Sequence, residues 1–116
     1  MLKRFGLAIA LAAITLVPAA AHHGWGSYDA KNPISVEGSI LTSQFENPHV
    51  AITVQGKDNV WTVTLAPTSR MISRGALKEM VSPGKVIVAY GYPSTRDTNE
   101  MRAERITVDG KTVEMR

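Results

Sequence analysis

The most restrictive feature of the sequence is a recurrent alternation of apolar and polar residues in short segments, interrupted once by helical spacing. Alternation with a period of two is typical of half-buried β-strands, whereas a helix repeats every 3.6 residues. The pattern therefore predicts a mainly β protein with one helical insertion. The predicted strands cover residues 35–45, 50–55, 61–65, 85–90, 101–108 and 111–115.

Turn-forming residues separate these predicted strands. The segment Glu46-Asn47-Pro48-His49 ends the first strand, and Gly56-Lys57-Asp58-Asn59 joins the next two as a hairpin. Asp109-Gly110 joins the last two and is the strongest kind of short hairpin signal. Gly38 lies inside the first strand, where a glycine indicates a bulge or a sharp bend.

The helical insertion follows the third predicted strand and begins at Pro67-Thr68-Ser69. The predicted helical segment extends to Val81, and its apolar residues at helical spacing are Ile72, Ala76, Leu77 and Met80. Gly75 predicts that the helix is short or broken. Three strands, a helix, a fourth strand and a closing hairpin are the element order of an OB-fold. We therefore predict an all-β fold with one short helix, a small OB-like Greek-key barrel of five to six strands; a meandering sandwich is the alternative.

The N-terminus has the pattern of a secretory signal peptide. Lys3 and Arg4 precede the apolar run Phe5–Val17, and Ala19 and Ala21 fit the small-residue rule for cleavage. Residues 5–21 number only 17, short of the roughly 20 that a membrane-spanning helix needs. We predict a signal peptide over 1–21, an irregular leader over 22–34 and a barrel domain over 35–116. The predicted mature protein is periplasmic or secreted and spans no membrane.

Processing changes the charge and leaves the fold without covalent support. Removing Lys3 and Arg4 from the 13 basic residues leaves 11 against 10 acidic ones, so a formal charge of +3 becomes +1. A nucleic-acid partner thereby loses its main support. The chain has no cysteine, so the 95 residues left after the first 21 of 116 must be stabilised by burial alone.

The three histidines are the sharpest chemical signal. Cleavage after Ala21 gives His22 a free α-amine beside its imidazole, and these two nitrogens can chelate one metal ion. His49, in the turn after the first strand, or the adjacent His23 would complete a nitrogen-rich tetragonal set of the kind that suits Cu(II). The competing interpretation is a solvated start of the chain at His22 and His23, with His49 bonded to a neighbouring carbonyl.

Cleavage after Ala20 would create a different copper motif. The mature chain would then start Ala21-His22-His23, with histidine at the third position. The α-amine, two backbone amides and the His23 imidazole would form a square-planar site that needs nothing else from the fold. Both cleavage positions thus predict a metal-ion partner, with copper favoured over zinc.

The remaining candidate residues are weaker. Met71 and Met80 are expected in the core, while Met101, beside a predicted exposed loop at 93–99, is kept as a candidate ligand. Trp61 is expected to face the core and Trp25 to pack the leader onto the barrel. The arginines alternate with acidic residues, so most are expected on solvated faces.

Nothing in the sequence supports a hydrolase or a phosphotransferase. It contains no G-x-S-x-G elbow, no P-loop and no H-E-x-x-H motif. We therefore predict an exported copper carrier or scavenger and no enzyme, with a copper-dependent oxidase or oxygenase as a minor alternative. The non-metal alternative is an OB-fold module that binds a peptide, a glycan, another small ligand or an envelope protein through Asn47, Arg96 and Asp97.

Several segments also resemble a bacterial family of small exported proteins that is known only as a domain of unknown function. The most specific are His22-His23 within AHHGW, Asn47-Pro48-His49 within ENPHV, and Glu100–Arg105 within EMRAERITVDG. The resemblance extends over nearly the whole mature chain. It implies export and a compact β domain, and it assigns no activity.

Overall fold

A computed structural model describes residues 24–116, so His22, His23 and the predicted signal peptide lie outside the described residues. The six strands are β1 (Ile34–Gln44), β2 (Ala51–Gln55), β3 (Val60–Thr64), β4 (Val86–Pro93), β5 (Glu100–Val108) and β6 (Lys111–Glu114). One α-helix, α1 (Thr68–Ser73), follows β3, and short 3-10 helices cover Trp25–Ser27 and Lys78–Val81. Each predicted strand is present, with ends that differ by a few residues.

Five of the strands close into a barrel. β1 pairs through its first half with β4 and through its second half with β2, which continues into β3. β4 pairs with β5, and β5 returns to β3 in the one parallel pairing among the described strands. β6 extends the sheet beyond β5. This arrangement, with the helix between β3 and β4, confirms the predicted OB-like Greek-key barrel.

The barrel interior is apolar, as the alternation predicts. Inward residues of every strand contribute, and Trp61 packs against them from the side. The largest fully buried side chains include Ile40, Ile52, Leu65, Met71, Ile87, Met101 and Ile106. The expectation that Met71 and Trp61 serve the core is confirmed.

Two local expectations need correction. The bulge of β1 lies between Ile40 and Thr42 rather than at Gly38. Gly38 instead marks a close approach of two backbones, because a Cβ there would overlap the carbonyl oxygen of Gln55. Glycine is therefore required for contact between β1 and β2 rather than for a bend.

The helical segment is broken, as Gly75 predicts, and this changes which of its residues are buried. α1 ends at Ser73, and Gly75 follows with a φ of +81°, a left-handed conformation that favours glycine. Residues 72–81 therefore do not share one helical face. Ile72 and Leu77 are 55% and 49% exposed and do not line the core, whereas Met71 and Ala76 are fully buried.

Candidate functional site

The candidate site lies where the leader, the first part of the chain that the structure describes, packs against the barrel. Trp25 packs on the outer surface of β4 and β5, with its ring centroid 5.8 Å from that of Tyr92 in a T-shaped contact. The guanidinium carbons of Arg102 and Arg116 lie 4.2 and 4.7 Å from the Trp25 ring centroid. The expectation that Trp25 packs the leader onto the barrel is confirmed. These four residues are called the Trp25 anchor below.

Main-chain hydrogen bonds hold the leader beside the anchor. The Asp29 N–H donates to the carbonyl oxygen of Pro93 at 2.9 Å, and the Thr95 N–H donates to that of Ser27 at 2.9 Å. The Thr95 hydroxyl donates to the same Ser27 oxygen at 3.0 Å. The leader and the loop after β4 therefore fix each other's position.

Tyr28 adds a partly buried polar contact between the leader and β5. Its hydroxyl donates to Glu100 Oε1 at 2.7 Å, and the Thr64 hydroxyl donates to the same oxygen at 3.3 Å. Burial, followed by the bond and charge of Glu100, raises the pKa of Tyr28 to about 12. The neutral phenol is the form that this contact stabilises.

Arg102 connects the anchor to His49. It lies on the outer face of β5, yet the leader covers it and leaves it only 7% exposed. Its Nη2 lies 3.4 Å from Nε2 of the half-buried His49. Burial lowers the pKa of Arg102, and the positive charges of Arg70 and Arg116 lower it further. Arg102 is thus an exception to the expectation that the arginines are solvated.

The surroundings of His49 are consequently positive. The guanidinium group of Arg102 lies beside His49, and the charges of Arg70 and Arg116 are close enough to Arg102 to lower its pKa. Glu104 Oε2 lies 3.7 Å from Arg116 Nη1, a long ion pair. An incoming cation would meet electrostatic opposition here.

Asn47 has a structural contact. Its side-chain oxygen accepts hydrogen bonds from the Thr68 N–H at 3.1 Å and from the Thr68 hydroxyl at 2.9 Å. Pro67 precedes the helix and makes no side-chain cap, so Asn47 caps α1 from a loop 21 residues earlier. The side-chain oxygen of Asn47, a residue of one predicted ligand loop, therefore makes contacts within the fold.

The other candidates in and beside the loop after β4 differ in exposure. Arg96 and Asp97 are exposed, and their N–H groups donate to Ser94 Oγ at 3.1 and 3.0 Å, which orders the loop. Met101 is fully buried in the core rather than at the loop surface, so the structure gives it no access to a ligand in that loop.

The described residues alone do not hold a metal centre. Among residues 24–116 there is no group of three histidine, aspartate, glutamate or cysteine side chains placed to bind an ion. His49 is the one predicted histidine ligand within that range, so a site of the predicted kind depends on His22 or His23. Within the same residues, no helix has the length and apolar character needed to cross a membrane.

Sequence reasoning missed the roles of Arg102 and Glu100. Both belong to β5, where alternation places them on the outer face with Thr64 of the neighbouring strand. An outer-face position normally indicates exposure, and only the packing of the leader reverses it. The signal available in the sequence was the aromatic pair Trp25 and Tyr28 in an otherwise polar leader.

The closed five-stranded barrel with its inserted helix defines the protein as an OB-like domain. The model of a family of unknown function, DUF6152, matches residues 10–112, and the chain belongs to that family. This confirms the resemblance noted in the sequence. No curated protein matches the chain.

The fold is shared with a solved structure. The protein is similar to a chain in the crystal structure of a complex of TiaS with an isoleucine tRNA and ATP, with a TM-score of 0.51 and 17% sequence identity. The likeness covers 69% of this protein but only 18% of that chain. At this identity the likeness concerns the fold alone.

Proposed function

We propose that the protein is an exported copper-binding protein, a carrier or scavenger, that uses the α-amine and imidazole of His22 with the imidazole of His49. His23 is the further donor. The observation that supports this proposal is the Trp25 anchor, because Trp25 and His49 contact the same guanidinium, that of Arg102. The described part of the chain therefore begins close to His49.

The length of chain before Trp25 limits how far His22 can lie from it. An extended chain spans at most about 3.6 Å per residue, so three residue steps from Trp25 to His22 reach about 11 Å. The two contacts through Arg102 measure 4.2 Å on the Trp25 side and 3.4 Å on the His49 side. The upper limit of about 11 Å exceeds each of these two contact distances.

Neutral nitrogen donors suit Cu(II), whereas the surrounding guanidinium groups oppose any cation. Salt screens the exposed part of this repulsion. Copper affinity at the proposed site is therefore expected to rise with ionic strength, the opposite of what a cluster of carboxylate ligands gives. This dependence distinguishes the proposed site from adventitious binding to surface acids.

The test is the intact mass of the exported protein with and without Cu(II), which fixes both the mature N-terminus and the stoichiometry. We expect a chain that begins at His22, one bound Cu(II) and an EPR spectrum with superhyperfine structure from nitrogen ligands. His49→Gln, and acetylation of the His22 α-amine, should each weaken binding at least tenfold. Circular dichroism on each variant checks that the barrel is intact.

Three results would change the proposal. Unaltered affinity after joint replacement of His22 and His23 would refute it. A chain that begins at Ala21 and binds copper regardless of His49→Gln would support the self-contained square-planar motif instead. Consumption of hydrogen peroxide with ascorbate by the copper-loaded protein would favour the oxidase or oxygenase alternative.

The module that binds through the two loops is less well supported. Asn47 caps α1, and Met101 is buried, which leaves Arg96 and Asp97 as exposed contacts. Two exposed side chains on an ordered loop do not form a concave site of the kind that binds small ligands.

A further inference from the structure

The first half of β1 has one paired edge and one open edge. In an antiparallel ladder, the N–H and C=O of a residue point to the same side, and successive residues alternate between sides. The Ile40 N–H donates to the carbonyl of Lys85 on the β4 side at 2.8 Å. The same register pairs Val36 with Ala89 and Gly38 with Ile87. Even-numbered residues therefore bond β4, and Ser35 and Glu37 point away from it.

The strand that would receive Ser35 and Glu37 ends too early. Pairing between β1 and β2 begins at Ser39 opposite Gln55, and the chain then turns, with the Gly56 N–H donating to the Asn59 carbonyl at 2.9 Å. No strand among residues 24–116 pairs with β1 at Ser35 or Glu37 on this side. Two N–H and two C=O groups therefore face outward in a row.

A cavity of about 640 Å³ lies along this open edge. Ile34, Val36 and Trp61 form its apolar part, and the turn from Gln55 to Asn59 forms its polar rim. Glu37 and Asp58 on that rim outnumber Lys57, so the rim has a negative excess. The open edge and the cavity are called the β1 groove below.

We propose that the β1 groove binds an extended segment of a partner polypeptide, which adds as a strand beside β1. Main-chain groups of residues 35 and 37 repeat at about 6.8 Å, the two-residue repeat of an extended peptide. Alternate side chains of that segment enter the cavity against Trp61 and Val36. The others face outward beside Glu37, where a basic side chain complements the negative rim.

This proposal is independent of copper. The β1 groove contains no histidine, and the Trp25 anchor involves β4, β5 and the leader rather than the open edge of β1. Either proposal can therefore fail without affecting the other.

The groove makes a prediction for the protein without a ligand. Amides of Ser35 and Glu37 should exchange with deuterium much faster than those of Val36 and Gly38, which bond β4. Comparable protection of all four amides would mean that the edge is already paired and would overturn the proposal.

The binding test uses acetyl-(Val-Lys)₄-amide as the probe on ¹⁵N-labelled protein. We expect chemical-shift changes at the Ser35 and Glu37 amides and the Trp61 indole, and slower exchange of both amides. Acetyl-(Val-Glu)₄-amide should bind at least several-fold more weakly. The valine–lysine peptide with every backbone amide N-methylated should not bind, because neither of its edges can then donate a hydrogen bond to β1.

Glu37→Pro tests the open edge from the protein side. Proline removes an N–H that makes no ladder bond and places its ring in the groove, so the fold should survive while the probe binds at least tenfold more weakly. Glu37→Gln, the matched control, keeps the N–H and should lose only the charge contribution. If Glu37→Pro fails to fold, the comparison of methylated and unmethylated peptides carries the test.

Three results would overturn the proposal. One is equal binding of the probe to wild type and Glu37→Pro. Another is shift changes for cellohexaose but not for the peptide at the same amides, which would assign the groove to a glycan. The third is concentration-dependent dimerisation that Glu37→Pro abolishes, which would assign the edge to a second copy of the chain.

Discussion

Trp25→Ala isolates the contribution of the Trp25 anchor. A T-shaped aromatic pair contributes about 0.5–1.5 kcal/mol. A cation–π contact contributes about 2 kcal/mol where the cation is desolvated, as at Arg102, and about 0.5–1 kcal/mol where it is exposed, as at Arg116. Together these contacts amount to about 3–4.5 kcal/mol.

Rehydration of Arg102 offsets part of this loss in the variant. Burial lowers the pKa of Arg102, which means that its guanidinium loses hydration beneath Trp25. Removing the ring restores water to that charge. We therefore expect the free energy of unfolding to fall by about 1–3 kcal/mol, less than the sum of the contacts.

Urea denaturation followed by the fluorescence of Trp61, the other of the two tryptophans, measures this loss. Hydrogen exchange should accelerate most at the Asp29 and Thr95 amides, whose bonds tie the leader to the barrel. Trp25→Phe, which keeps an aromatic ring, should lose less. Unchanged unfolding free energy together with undiminished protection of both amides would refute the anchoring role.

Two further predictions concern other contacts. Tyr28→Phe should cost about 1–2 kcal/mol of stability near neutral pH, because it removes a bond to a carboxylate. The pKa of Tyr28 rises from 10.0 to about 12 in the folded protein, so its contribution is complete below pH 10 and is lost as the pH rises toward 12. Thermal unfolding of wild type and variant should therefore converge over that interval, and parallel curves would contradict the assignment. Gly38→Ala should cost about 1–3 kcal/mol, because its Cβ would overlap the Gln55 carbonyl. Ser39→Ala, an exposed neighbour, is the control in chemical denaturation, and equal stability of the two variants would disprove the close approach.

The barrel was predictable because its information is local. Period-two alternation located the strands, and Asp109-Gly110 placed the final hairpin, where Asp109 and Gly110 both have positive φ. The element order then favoured the OB-like barrel over a meandering sandwich. These signals depend on neighbours within a few residues, which a single sequence displays directly.

The errors arose where distant residues decide the outcome. Ile72 and Leu77 fit a helical face, but the left-handed Gly75 redirects the chain between them. Arg102 fits a solvated strand face, but Trp25, 77 positions earlier, covers it. Asn47, a predicted ligand-loop residue, also caps a helix that begins at Thr68, a contact that its neighbours in sequence do not indicate. Short-range patterns contain none of these three contacts.

Closure of the barrel through β3 and β5 also has a consequence for the route by which the chain folds. Thr64 pairs with Arg102, 38 positions later, and α1 and β4 lie between them. Non-local pairing of this kind carries a loop-closure cost before it gains contacts, and proteins rich in it fold in milliseconds to seconds. We expect the pairing of β3 with β5 to form late in folding. Val63 pairs with Met101 between these two strands, and both side chains are fully buried in the native state. Until the strands pair, both side chains remain accessible to water and to other unfolded chains.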